Sequence, residues 1–186
     1  FNGDRAAVIE KSFESGVSKL VEIACCAKEW EPAAALCSQY PARIYACFGI
    51  HPGHSEELCP ENLAKLEQYL KKSLSKGLGE IGLDYYWDAA KKEQQNILLE
   101  AMISLSNKLG LVSVFHARSG KDATKDNAYA DLSAMLKHKW NYTPMGKKFR
   151  GILHCFSGSR EDAAAALDLG LALGVNGAFT YKKNGE

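Results

Sequence analysis

Two rhythms of apolar residues alternate along the chain. Short apolar runs at Lys19–Ala24, Ile44–Gly49, Gly77–Asp84, Val112–His116, Gly151–His154 and Leu171–Val175 read as strands. Between them the apolar positions recur at helical spacing. Ala6, Ile9 and Phe13 mark a helix from Asp4 to Ser15, stopped by Gly16, and Pro32 suits the first turn of a short helix over Ala33–Gln39. Pro60 opens a longer helix whose Leu63, Leu66, Leu70 and Leu74 share a face and whose pattern ends at Gly77. Gln94, Leu98, Ala101, Met102, Leu105 and Leu109 form the clearest stripe, closed by Gly110. Asp122–Trp140 follows with Leu132, Met135 and Leu136 inward, and Ser159-Arg-Glu-Asp162 reads as a capping box for an alanine-rich helix ending at Gly170. Ile50–His54 is turn-rich, Asp84–Asp88 a polar-aromatic loop, and Asn141–Arg150 a basic turn segment.

Strands alternating with helices imply an α/β fold with a parallel sheet. Histidine and glutamate at strand ends favour a barrel, since ligands gather at the C-terminal ends of such strands. A TIM-type (β/α)8 barrel takes about 250 residues and eight strands. This chain of 186 residues supplies six strand-like runs. It therefore reads as a truncated barrel, a single domain over 1–186 without its first and last strands, carrying an inserted helical and basic segment around 121–150.

Composition narrows the function classes. With 46% hydrophobic and 24% charged residues the chain is ordinary globular protein, and a net charge of +1 gives no broad electrostatic footprint for nucleic acid. Contact with a polyanion must be local. No run approaches the roughly 18 apolar residues of a membrane span, so no membrane association is expected. The six cysteines show neither a C-x-x-C pair nor a disulfide framework, which points to buried, reduced thiols and a reducing compartment, the cytoplasm or the nucleus. No obligate protein partner is inferred.

The chemistry centres on Glu80, a carboxylate within the apolar, glycine-rich run Gly77-Leu-Gly-Glu-Ile-Gly-Leu-Asp84. Burying it is costly without a compensating cation or hydrogen bonds, so it is either a paired core acid or a metal ligand. His116 and His154 each close a later strand-like run. If the strands are parallel, Glu80, His116 and His154 project from the same end of one sheet, a two-histidine, one-carboxylate set suited to a catalytic metal.

Gly79-Glu-Ile-Gly-Leu-Asp84, Gly49-Ile-His-Pro52, Phe115-His-Ala-Arg118 and Leu153-His-Cys-Phe-Ser-Gly158 together resemble successive motifs of the TatD family of metal-dependent deoxyribonucleases, which are TIM barrels. The resemblance runs from about the first helix to the last residue. It implies a DNA substrate, exonuclease action, and a divalent cofactor (zinc, magnesium or manganese), with Glu80 as the catalytic bridging ligand and His116 and His154 completing one metal site. Two elements of the family pattern are missing: no His-x-His pair occurs, and no strand follows to carry the late metal-binding Asp. Gly53 also separates Pro52 from His54, so His54 is not equated with the histidine that the family places there. A barrel hydrolase acting on amide or ester bonds, and a non-catalytic barrel serving as an interaction module, are the rival readings.

Arg118 suits a substrate phosphate through its fork geometry, against the alternative of a solvated arginine. His51 either contacts substrate or packs its own turn. Asp84 either orients a ligand histidine or caps a helix. Tyr85, Tyr86 and Trp87 either stack nucleobases or cover the end of the core. His138 is expected in solvent.

Overall fold

The computed structural model describes residues 3–88, 91–141 and 149–180. Six strands, β1 (Leu20–Ala24), β2 (Ile44–Phe48), β3 (Ser75–Asp84), β4 (Ser113–Arg118), β5 (Gly151–Leu153) and β6 (Leu171–Leu173), pair in sequence order, every pair parallel. The helices are α1 (Arg5–Glu14), α2 (Ala27–Gln39), α3 (Pro60–Leu70), the short α4 (Tyr85–Asp88), α5 (Lys92–Leu109), α6 (Ala128–Lys139) and α7 (Arg160–Asp168), with a 3-10 turn over Pro52–Glu57. Strands laid down in strict order are wound in one direction, as in a barrel wall; a doubly wound sheet would reverse its order. Among the described residues β1 and β6 do not pair, so the wall stays open. None of the described helices is long and apolar enough to cross a membrane.

Apolar residues of the strands and helices form one core, with Trp30, Phe48, Leu66, Leu78, Ile81, Leu83, Leu98, Met102 and Phe115 fully buried. The expected helix stops hold: Gly110 takes φ 62° at the end of α5, Gly170 takes φ 76°, and the Ser159–Asp162 capping box is formed.

Several boundaries differ from the expectation. The second helix starts at Ala27, not at Ala33, and carries Pro32 inside it. Two carboxylates satisfy donors at its start, Glu29 accepting from the Cys25 amide and Glu57 from the Ala27 amide, both at 2.8 Å. Helix α3 ends at Leu70, and Leu74 packs on the core from outside it. Gly77 lies inside β3, which ladder pairing with β2 extends back to Ser75. Asp84 is the last residue of β3, and Tyr85–Asp88 form a helical turn rather than a loop. Helix α6 begins at Ala128, capped by Asn127, instead of at Asp122, because Gly120 and the Asp122 turn hold the preceding residues out of helix. On α5 Gln95 is buried, as is Ser106, while Gln94 is exposed. The last strand stops at Leu173. Most of the basic segment, 142–148, lies outside the described residues.

Candidate metal centre

Where β3 meets β4 the ladder slips by one residue: Gly79 pairs with Val114 and Ile81 with Phe115, leaving Glu80 as the extra residue. Such an irregularity re-aims one side chain out of the regular alternation. The flanking glycines let β4 approach. A Cβ on Gly79 would fall 2.6 Å from that of Val114, and one on Gly82, at φ 142°, only 1.9 Å from the His116 carbonyl oxygen. What the glycines admit is therefore the neighbouring backbone.

Glu80 is largely buried and its Oε1 accepts no hydrogen bond. His116 Nδ1 stands 3.5 Å from that oxygen, close enough for charge interaction but without hydrogen-bond geometry. On the other side of the ring, His116 Nε2 lies 3.1 Å from Asp84 Oδ2. Asp84 is itself buried, and its Oδ1 accepts from the amides of Tyr86 (3.0 Å) and Trp87 (3.3 Å). Its main chain is clamped by Gln95, which accepts from the Asp84 amide at 2.8 Å and donates to the Asp84 carbonyl at 2.9 Å. Sequence reasoning missed Gln95. Its signal was a polar residue in register with Leu98, Leu99 and Met102 on the buried stripe.

Charges answer one another here. Burial opposes ionisation of Glu80 and Asp84, yet His116 outweighs it and holds both carboxyls below their usual range. Burial likewise opposes the imidazolium, but the hydrogen bond to Asp84 and the charges of Glu80 and Asp84 raise His116 to about 9. A cation between these groups is what the arrangement calls for. A proton on Nδ1 supplies it here, at the position where a metal would take the same lone pair.

His51 joins the group. Ligand atoms of His51, Glu80 and His116 lie within 4.8 Å of one another, and the rings of His51 and His116 are 4.7 Å apart. Its second ring nitrogen decides its role. The Gly53 amide donates to His51 Nδ1 at 3.0 Å, and a backbone N–H can only donate. Nδ1 therefore accepts, and the neutral ring carries its proton on Nε2. Burial first, then the charge of His116, pushes His51 down to about 4, so the ring is neutral. In this state Nε2 carries an N–H donor rather than a lone pair. Of the two alternatives weighed for His51, the turn contact is present, Nδ1 accepting from the Gly53 amide.

His154 lies just past β5, exposed, and outside the 4.8 Å group, although its charge still favours ionised Glu80. Arg118 is exposed at the end of β4, with its guanidinium 3.9 Å over the Tyr86 ring. Cys25, just past β1, is a free thiol beside Glu80, and burial pushes it up to about 11.

The TatD related DNase family matches residues 1–186. The chain belongs to this family. Metal-dependent hydrolase YjjV of Escherichia coli is 32% identical over 186 residues, covering 98% of this chain and 66% of the relative. The 3'-5' ssDNA/RNA exonuclease TatD of Pantoea vagans is 27% identical, and that of Erwinia tasmaniensis 29%, each over the whole of this chain. The crystal structure of YJJV, a TatD homologue from Escherichia coli, superposes with a TM-score of 0.83 at 29% identity, covering 98% of this chain and 66% of that one. The chain thus spans 66% of the length of YjjV and of the Pantoea protein.

Proposed function

We propose that the chain carries the metal centre of a phosphodiesterase acting on DNA, an exonuclease like the relatives named for that activity. One observation carries this reading: buried Glu80 Oε1, without a hydrogen bond, faces His116 Nδ1 while Asp84 takes the opposite nitrogen of the same ring. Metal-binding histidines are typically backed in this way by a carboxylate that fixes the tautomer. Glu80 and His116 would hold a divalent ion, with His154 approaching from the rim of β5. Such an ion polarises a phosphoryl oxygen and makes water a nucleophile near neutral pH. Asp84 would keep the remaining ring proton on Nε2 when an ion replaces the one on Nδ1, so that the Nδ1 lone pair would serve the metal. His51 donates from Nε2 to an oxygen of the phosphate, and Arg118 adds a charged fork at the strand end. The six free cysteines support a reducing compartment, the cytoplasm.

The test is hydrolysis of single-stranded DNA, assayed beside amide and ester substrates over a series of divalent ions. Wild-type protein should cleave DNA only with metal present, and Glu80→Gln should lower the rate by orders of magnitude. Cleavage of amides or esters but not DNA would move the assignment to another hydrolase. Full activity of Glu80→Gln with any divalent ion would end it.

A further inference from the structure

The protein holds three tryptophans. Trp30 and Trp140 are 0% and 5% exposed, whereas Trp87 is 75% exposed. Trp87 therefore does not cover the core, and the bland account of the aromatic segment fails for this ring. It holds for Tyr85, which is buried with its hydroxyl donating to Asp131 at 3.0 Å. Tyr86 meets Trp87 edge-on, with ring centroids 4.9 Å apart and planes at 86°. Cations surround the pair: Arg118 lies 3.9 Å from the Tyr86 ring centre and 5.4 Å from that of Trp87, and Lys121 lies 5.9 Å from Tyr86. The cluster is tied to the metal centre by hydrogen bonds, because Asp84 receives the Tyr86 and Trp87 amides on one oxygen and His116 on the other.

We propose that Trp87 and Tyr86, flanked by Arg118 and Lys121, form a stacking site for an unpaired nucleobase of single-stranded DNA beside the scissile phosphate. The proposal rests on the phosphodiesterase reading and specifies how its substrate is held. A flat apolar face next to two cations matches a ligand that is planar and anionic at once, which a nucleotide is. Aromatic faces accept any base, so the site favours unpaired ends over sequence. In a duplex the same base is already stacked and paired, and freeing it costs a few kcal/mol. The Arg118 guanidinium lies over Tyr86 and within reach of the neighbouring backbone phosphate, so the two aromatic rings differ in role: Tyr86 seats the arginine and Trp87 presents the open face.

Tryptophan fluorescence reads this site directly, since the other two indoles are buried. Titration with a hydrolysis-resistant phosphorothioate single strand should quench the emission saturably, and blunt duplex of the same sequence should quench far less. Trp87→Ala should abolish the quench and weaken binding, measured by anisotropy, roughly tenfold to a hundredfold, the scale of one base–aromatic stack. Trp87→Phe should restore most of the affinity without the signal. A single strand with an abasic residue at its end should bind wild type as weakly as Trp87→Ala does, and the variant should not distinguish the two strands. Tight binding with no change in fluorescence and none on Trp87→Ala would overturn the stacking site, while DNA cleavage measured in parallel left the phosphodiesterase reading standing. No binding and no cleavage of DNA would overturn both.

Discussion

Replacing Asp84 by Asn tests the centre with almost no change in shape. Oδ1 accepts two backbone amides, from Tyr86 and Trp87, and these can only donate. The amide oxygen of the substituted side chain must stay there, which turns its NH2 toward His116 Nε2, 3.1 Å from the present Oδ2. Nε2 then has to accept, so the one proton of the neutral ring is held on Nδ1, the nitrogen that faces Glu80 Oε1 at 3.5 Å. The lone pair needed for a metal is lost. A hydrogen bond to a charged group is worth about 1.5–3 kcal/mol, and loss of such a backing carboxylate costs about ten- to a hundredfold in metal affinity, so the two scales agree. Zinc titration by calorimetry or chelator competition should show that loss, with DNA cleavage at limiting zinc falling in parallel. Melting in the presence of a chelator controls for folding and should move by only a few degrees, on the order of 1 kcal/mol. Zinc affinity within about threefold of wild type, a change of less than ~1 kcal/mol, would refute the role assigned to Asp84.

Gly82→Ala sets a Cβ 1.9 Å from the His116 carbonyl oxygen at φ 142°, so β3 and β4 must separate. Overpacking and backbone strain together cost roughly 3 kcal/mol, and calorimetric melting should fall by about 10 °C; an unchanged melting point would contradict the close approach of the strands. Burial pushes the Cys47 thiol up to about 11, so iodoacetamide at mildly alkaline pH should spare it in the native protein while half-buried Cys59 and Cys155 react. Peptide mapping by mass spectrometry checks this, and early labelling of Cys47 would show that its strand is not packed as described.

Local rules reached most of the wall and one end of the site. The stripe of α5, its stop at Gly110, the capping box at Ser159 and the apolar runs of all six strands are visible because each depends on neighbours in sequence. The start of α2 was not visible, because one of its capping carboxylates is Glu57, thirty positions away. Gln95 and Gln94 are told apart only by which way α5 rolls onto β3, and the extension of β3 back to Ser75 only by the ladder with β2.

For the site, sequence alone put Glu80 and His116 on two strand-like runs that follow one another, and the structure lays those runs side by side as β3 and β4. Tertiary structure decided their geometry. A slip in the β3–β4 ladder singles out Glu80, and the Asp84 carboxylate engages Nε2 of His116 on the neighbouring strand. The same packing brings His51 beside His116 and leaves His154 exposed at the rim. Apolar periodicity is a local property of the chain, whereas the direction of a lone pair depends on hydrogen bonds between distant segments. Only the folded wall brings those segments together.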